Sequence, residues 1–336
     1  MSELIFPKDY DPKLTLRQTQ RAIKLIKDTF QKELALALNL DRVTAPILVK
    51  QGSGLNDDLS GVERKVAFTM KEVGGTAEVV QSLAKWKRGA LYRYGYGVGE
   101  GIYTDMNALR RDDKADNTHS IFVDQWDWEK VIRAEDRNMD YLKHTVRAIV
   151  GAISRTKNYI NKAYYPALTG EIGDEVFFIT SQELADEYPD KSAKEREDLI
   201  TRKHGIVFLM QIGGALKNGE PHDSRAPDYD DWTLNGDILV WDPLLGHALE
   251  ISSMGIRVDA EAMDRQLTIA GADDRRALPY HKMILDGTLP LTIGGGIGQS
   301  RLCMLLLEKA HIGEVQTSVW PDEMIDECQK HNITLL

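Results

Sequence analysis

The chain has 336 residues, 42% hydrophobic and 28% charged, an ordinary globular composition with length enough for a large core. Its net charge is −10 with no basic tail, which argues against a nucleic-acid binder but leaves room for a local basic pocket. Cys303 and Cys328 make no disulfide framework or zinc pattern, no apolar run nears the roughly 20 residues of a membrane span, and MSELIFPKDYDPK lacks the marks of a signal peptide, so a cytoplasmic setting without membrane contact is expected.

Leu16, Ile23, Ile26, Phe30, Leu34 and Ala37 recur near a 3.6-residue period, which predicts a long amphipathic helix over 15–38. RVTAPILVK (42–50) is rich in β-branched residues but carries Pro46, which predicts a strand at an edge or an interface. QGSGLNDDLSG (51–61) is a turn-rich loop, 62–73 alternates like a strand, and 78–80 is a short strand. A helix follows, with Ser82 as its cap and Leu83, Trp86, Ala90 and Leu91 as its apolar face.

A hairpin is expected from 102–110 and 119–129 around the polar loop RDDKADNT, and a period of two puts Val123, Gln125 and Asp127 on one face. Helical stretches are expected over 128–164 and 181–204, the second a polar surface excursion. GIVFLMQIGG (205–214) is a buried strand, a loop EPHDSRAPDYDDW (220–232) leads into GDILVW, and HALEISSMGIRV carries mixed strand signals. TIGGGIGQSRLCMLLL (292–307) predicts a glycine-rich turn that opens a helix over 299–308. Its spacing fits neither the dinucleotide fingerprint nor a P-loop, but Arg301 adds a fixed cation to a helix terminus that already suits anions. With no repeat and no linker, the expectation is a single α+β domain over 1–336, built on a mostly antiparallel sheet.

Several charges stand where a core sheet would not want them: Gln125 and Asp127 on one strand face, Asp237 and Glu250 at two strand starts, Arg110 and Arg257 at strand ends, and Lys87 on the short helix. Acids spaced for a divalent cation beside several arginines suit an anionic nucleotide with magnesium. Asp228, Asp230 and Asp231 lie in a loop, where acids are ordinarily solvated, and His119 reads as a hairpin-end residue. None of the eight histidines has metal-ligand spacing, and no nucleophile motif is present.

Long strings through the chain carry a family resemblance: LSG (59–61), SLAKWKR (82–88), DQWDWE (124–129), RAPDYDDW (225–232), NGDILVW (235–241), SSMGIRV (252–258) and TIGGGIGQSRL (292–302). Nearly end to end, the chain resembles the ammonia-dependent aspartate–ammonia ligases, the asparagine synthetases of the bacterial A type. The resemblance implies the catalytic-core fold of the class II aminoacyl-tRNA synthetases and a homodimer. Pro46 resembles the proline of the class II dimer-interface motif, Arg110-Arg111-Asp112 its Arg-x-acid motif, and Arg301 the arginine of its third motif. QSLAKWKR is similar to an aspartyl-tRNA synthetase stretch, and Glu250 with Arg257 to the Glu…Gly-x-x-Arg strand of those enzymes.

The chemistry implied is amide formation from L-aspartate, ammonia and ATP through a β-aspartyl adenylate. On that resemblance Arg110 faces the α-phosphate, Arg301 and Gly296 adjoin the nucleotide, and Asp237 and Glu250 hold Mg2+ on its phosphates. Gln125 bonds the acyl phosphate region or the β-carboxyl. Lys87 and Arg257 hold the α-carboxylate of aspartate, with Ser82, Asp127 and Asp230 near its amino group and Ser253 in the same subsite. Asp57 receives ammonia; whether it or its neighbour Asp58 acts stays open, and Val62 leaves no thiol at a position that can be cysteine. An aminoacyl-tRNA synthetase would need a tRNA-binding module that the chain lacks, and a non-catalytic relative should have lost Lys87, Arg110, Arg257 and Arg301.

Overall fold

The computed structural model describes residues 4–57, 59 and 63–336; Asp58 and Val62 lie outside them, as does part of the LSG string. Helix α1 (Leu16–Leu38) starts at Thr15, whose hydroxyl accepts from the Gln18 N–H at 3.3 Å while the Gln18 carboxamide accepts from the Thr15 N–H at 2.9 Å. Of the predicted face it buries Ile26, Phe30 and Leu34, together with Ala22 and Leu38; Ile23 and Ala37 are half-buried at the border of the stripe, and Leu16, in the first turn, is exposed. The stretch expected as one strand over 42–50 is split. β1 (Leu40–Arg42) joins a large sheet and β2 (Leu48–Lys50) a small one, with Pro46 in the irregular link where no ladder needs its missing N–H. Of the alternating stretch 62–73, β3 (Ala67–Thr69) is strand; with β4 (Thr76–Val79) it completes the small sheet, in the order β2-β4-β3.

Among the described residues the large sheet has eight strands. After α2 (Ala84–Tyr94), β5 (Gly101–Leu109) and β6 (Phe122–Val131) form the expected hairpin. The helix expected from Trp128 begins eleven residues later, as α3 (Met139–Ala163), because Trp128 is a fully buried strand residue and the cap is Asn138, whose carboxamide oxygen accepts from the Tyr141 N–H at 2.9 Å. The stretch 181–204 breaks around Pro189 into α4 (Ser181–Glu187) and α5 (Ala193–His204). β7 (Phe177–Thr180), β8 (Ile206–Met210), β9 (Asp230–Asp242) and β10 (His247–Arg257) follow, then α6 (Ala260–Ile269) and α7 (Pro279–Leu285). β11 (Thr292–Gly298), α8 (Gln299–Leu306) and α9 (Asp322–Lys330) close the chain. The spatial order is β1-β5-β6-β11-β10-β9-β8-β7, antiparallel except for the parallel pairs at its two edges.

The glycine stretch is therefore no turn. It is a central strand, hydrogen-bonded on both sides, and its glycines serve space rather than backbone freedom. A Cβ at Gly294 would run into the Glu129 carboxylate, one at Gly296 into the Gln125 carboxamide, and one at Gly295 would come within 2.5 Å of Met254 Cβ. One face of β6 packs Trp126 and Trp128 into the core with α1 and α3, Phe30 and Trp126 having ring centroids 4.7 Å apart. The other face presents Gln125, Asp127 and Glu129 toward α2 and the site.

Candidate active site

One register row crosses the centre of the sheet: Asp127 on β6 faces Gly296 on β11, which faces Ser253 on β10, which faces Asp237 on β9. Directly paired residues share a face, so four adjacent strands deliver these groups to the same side. Above this row lies a cavity of about 620 Å³, lined by Gln125, Gly296 and Ser253 and walled by Arg110, Arg225, Tyr229, Glu250 and Arg301.

At its open end Arg110 closes the β5 side of the hairpin. Its Nε and Nη2 donate to the Gln81 carbonyl at 3.4 Å, and among the described residues no carboxylate is within ion-pair distance. Arg301 donates to the carbonyls of Glu250 at 3.0 Å and Thr118 at 3.3 Å, with the Glu250 carboxylate 3.8 Å away. The amide terminus of α8 is already occupied: Asp124 accepts from the Ser300 N–H at 3.0 Å and its hydroxyl at 2.9 Å. The anion at that helix end is thus the chain's own, and Arg301 alone carries the terminus's charge to the cavity. His119 is not a bystander of the hairpin; it lines the cavity, with Nδ1 2.9 Å from Asp116.

Asp237 is opposite Ser253 and Glu250 opposite Leu239, so the two acids are diagonal neighbours across β9 and β10 and act on each other electrostatically. Burial pushes the Asp237 carboxyl up to about 8, Arg225 opposes this and Glu250 adds to it. One Asp237 oxygen is paired with Arg225 and the other is buried without a well-formed hydrogen bond. Two neighbouring carboxylates, one with a buried oxygen lacking a well-formed hydrogen bond, fit a divalent cation; among the described residues no third acid or histidine completes a protein-only metal cluster.

The expected aspartate residues lie deeper, beneath the cavity floor. Lys87 is fully buried, ion-paired with Asp127, and donates to the carbonyls of Trp128 at 2.9 Å and Gly295 at 3.3 Å. Arg257 grips Glu129 at 2.8–3.1 Å and Asp230 at 2.5 Å. Burial drives Lys87 down and Asp127 and Asp230 up, while Arg257 and Lys87 outweigh burial at Glu129 and hold it low. Gln125 lies against Gly296, over this network. Ser82 stands at the start of α2, its hydroxyl accepting from the Ala84 N–H at 3.1 Å; the helix proper begins at Ala84.

Asp57 is 2% exposed. Its Oδ1 accepts from the Leu59 N–H at 3.0 Å, and Asn56 clamps the loop by accepting from both the Asp57 and Gln81 N–H groups. Burial raises its carboxyl, Lys85 works against that, Asp228 adds to it and Arg110 opposes it. The loop acids are not solvated. Asp228, Asp230 and Asp231 are at most 4% exposed and ion-paired with Lys85, Arg257 and Arg137 respectively; only Asp228 is in the loop, while Asp230 and Asp231 are the first residues of β9, paired there with the end of β10.

Sequence reasoning missed Glu129 and Arg225. For Glu129 a signal was there, since the period of two through Gln125 and Asp127 reaches it next. Arg225 gave none: its partner Asp237 is twelve residues away across a loop and a strand.

The family model described as aspartate–ammonia ligase matches residues 17–332. The chain is 58% identical over 334 residues to the aspartate–ammonia ligase of Clostridium tetani, covering 99% of this chain and 98% of that one. It is also 58% identical over 334 residues to that of Levilactobacillus brevis, with 99% of each chain covered. Among solved structures it is similar to the asparaginyl-tRNA synthetase of Pyrococcus horikoshii complexed with asparaginyl-adenylate, at 16% identity and a TM-score of 0.62, covering 96% of this chain and 77% of that one. The Entamoeba histolytica asparaginyl-tRNA synthetase in complex with asparaginyl-adenylate gives 13%, 0.63, 90% and 66%. At these identities the likeness is one of fold, the α+β catalytic core of the class II synthetases.

Proposed function

The chain belongs to the aspartate–ammonia ligase family and makes asparagine from aspartate and ammonia, and from that premise we propose that the reaction runs through a β-aspartyl adenylate, releasing AMP and pyrophosphate. A carboxylate oxygen is a poor leaving group for an incoming amine. Joining AMP to the β-carboxyl converts that oxygen into part of a good one. The first step brings two anions together, so it needs a cation that is not already neutralised. Arg110 is the observation that carries this reading: it lines the cavity, and among the described residues no carboxylate pairs with it. The solved asparaginyl-tRNA synthetases, named as complexes with asparaginyl-adenylate, support adenylation of a carboxyl group on this fold.

Arg110 steadies the α-phosphate as charge grows there, and Arg301, beside Gly296, braces the rest of the nucleotide. Asp237 and Glu250 hold Mg2+, which supplies charge neutralisation on the phosphates when bound. Aspartate takes the deep end once Gln125 swings off Gly296: its α-carboxylate goes to Lys87 and Arg257, its ammonium to Asp127, Asp230 and Ser82, with Ser253 alongside. Gln125 then hydrogen-bonds the β-carboxyl. Asp57 binds ammonium and takes a proton from the attacking amine. The working unit is a homodimer joined through α1 and the Pro46 segment, where Ile47, Leu48 and Phe68 stand exposed around the small sheet.

Aspartate-dependent exchange of labelled pyrophosphate into ATP, measured without ammonia, tests the adenylate. The expected result is exchange that needs aspartate and Mg2+, followed by asparagine and AMP when ammonia is added. ADP and inorganic phosphate as products, with no exchange, would overturn it.

A further inference from the structure

We infer that His281 is a positioning residue for the ammonia step: it seats the loop that carries Asp57 and fixes Asp228, and through Asp228 it fixes the buried cation Lys85. The inference rests on the reading of Asp57 as the ammonia group.

Lys85, Asp228 and His281 are buried charged or titratable side chains with no part in the chemistry above. They come from α2, the loop before β9, and α7. All meet at one atom. Asp228 Oδ2 accepts from Lys85 Nζ at 2.7 Å, from His281 Nε2 at 2.9 Å and from Arg275 Nη1 at 3.0 Å. The other oxygen, Oδ1, and the other ring nitrogen, His281 Nδ1, have no hydrogen-bond partner among the described residues. Burying such a set is costly, and well-packed apolar residues of similar volume would often serve stability as well or better. A role in stability alone therefore explains it poorly.

Two contacts tie the set to Asp57. The first is steric. Gly54, three residues before Asp57, has a φ of +76°, and a Cβ there would lie 3.1 Å from Leu278 Cβ and 3.3 Å from His281 Nδ1. The loop thus rests on the start of α7 and on the imidazole itself. The second is electrostatic. Lys85 is the strongest charge opposing the burial of the Asp57 carboxylate, and Asp228 competes with Asp57 for it. Removing the imidazole lets the loop shift and lets Asp228 and Lys85 re-pair. Ammonia attacks only after the adenylate has formed, so a fault confined to Asp57 spares the first half-reaction.

The test compares aspartate-dependent ATP–pyrophosphate exchange with asparagine formation, including the KM for ammonium, in wild type and in His281→Ala, His281→Gln, Gly54→Ala and Asp57→Asn. His281→Ala should lower asparagine formation on the order of 10- to 100-fold while exchange stays within about threefold, the scale expected when a reacting group is misplaced by about an ångström. His281→Gln keeps an N–H for Asp228 and should recover most of the loss. Gly54→Ala, strained by its positive φ, should reproduce the split without touching Asp228. Equal loss of both half-reactions in His281→Ala, or loss of neither, overturns the inference. If His281→Ala does not fold, the same criterion applied to Gly54→Ala decides it. Asp57→Asn judges the premise separately: selective loss of asparagine formation sustains it, whereas joint loss or no loss overturns the ammonia reading whatever His281 does.

Discussion

At the deep end of the site Lys87 and Arg257 are held by Asp127, Glu129 and Asp230, whereas at the open end Arg110 and Arg301 rest mainly on carbonyl oxygens. Both ends stand on the same central strands and both contain cations. What differs is whether those cations are neutralised before a ligand arrives. The deep network suits a zwitterion: an α-carboxylate and an α-ammonium can replace chain partners charge for charge, and the site remains balanced. The open end suits a polyanion, whose charge meets guanidinium groups that have little to give up first. Fixed positive charge aimed at developing negative charge is the arrangement that lowers a barrier without reorganisation.

The sharpest way to break this comparison is to empty the deep end. Arg257→Ala would leave Asp230 buried without its ion-pair partner and Glu129 with only Lys87 at 3.8 Å, a loss of about 3–5 kcal/mol of stability by analogy with broken buried pairs. Chemical denaturation should show it, together with loss of aspartate binding. A normally stable variant would mean that the network is not electrostatically closed.

Arg110→Ala should do the reverse. The side chain is half-buried and outside any ion pair among the described residues, so stability should hold while adenylate formation falls about 100- to 1,000-fold, the usual cost of one transition-state donor. Pyrophosphate exchange measured beside a melting curve separates the two effects. Near-normal exchange in a folded variant would remove Arg110 from the chemistry.

Which of these features the sequence disclosed depends on the range of the interaction. The periods of α1 and of the β5–β6 hairpin are local, so they are legible, as is the cluster of strings that identifies the family and its fold. The glycine stretch misled because glycines clear space for Gln125 and Glu129, and those side chains belong to a strand more than 160 residues earlier. The Lys85–Asp228–His281 set was invisible for the same reason: its bonds span 143 and 53 residues, and no periodicity reports them. Asp228, Asp230 and Asp231 read as solvated because nothing local says what folds over the segment, or that a strand of the central sheet opens at Asp230.

At the far end of the register row, beside Arg225, stands Asp237, whose carboxyl burial pushes up to about 8. The unfolded chain ionises it near the ordinary carboxylate range, so between roughly pH 4 and 8 the folded state binds the proton more tightly. Its contribution to stability is present at low pH and is lost as pH rises toward 8. Asp237→Asn should flatten that part of the Tm–pH curve. Mg2+ with ATP should raise the wild-type Tm more near pH 8 than near pH 6, and this pH dependence should vanish in the variant. An unchanged slope in Asp237→Asn would show that Arg225 alone settles the charge.

The smallest effect is expected at the boundary, and it sharpens the comparison most finely. Gly294 and Gly296 are two residues apart on one strand face, yet they guard different ends. A methyl at Gly294 meets the Glu129 carboxylate and lies 2.6 Å from Arg257 Nη2, a pair with no freedom to move. A methyl at Gly296 meets the tip of Gln125, a side chain that can swing into the cavity. Gly294→Ala should therefore cost about 1–3 kcal/mol, as overpacking does, and Gly296→Ala less than about 1 kcal/mol. Because Gln125 is displaced in the second variant, its aspartate KM should rise severalfold even though its stability barely changes. Urea denaturation and aspartate titration of the two variants give the answer. Equal destabilisation would mean that Gln125 is as firmly fixed as the ion pair beneath it, and that the floor of the site does not open at that point.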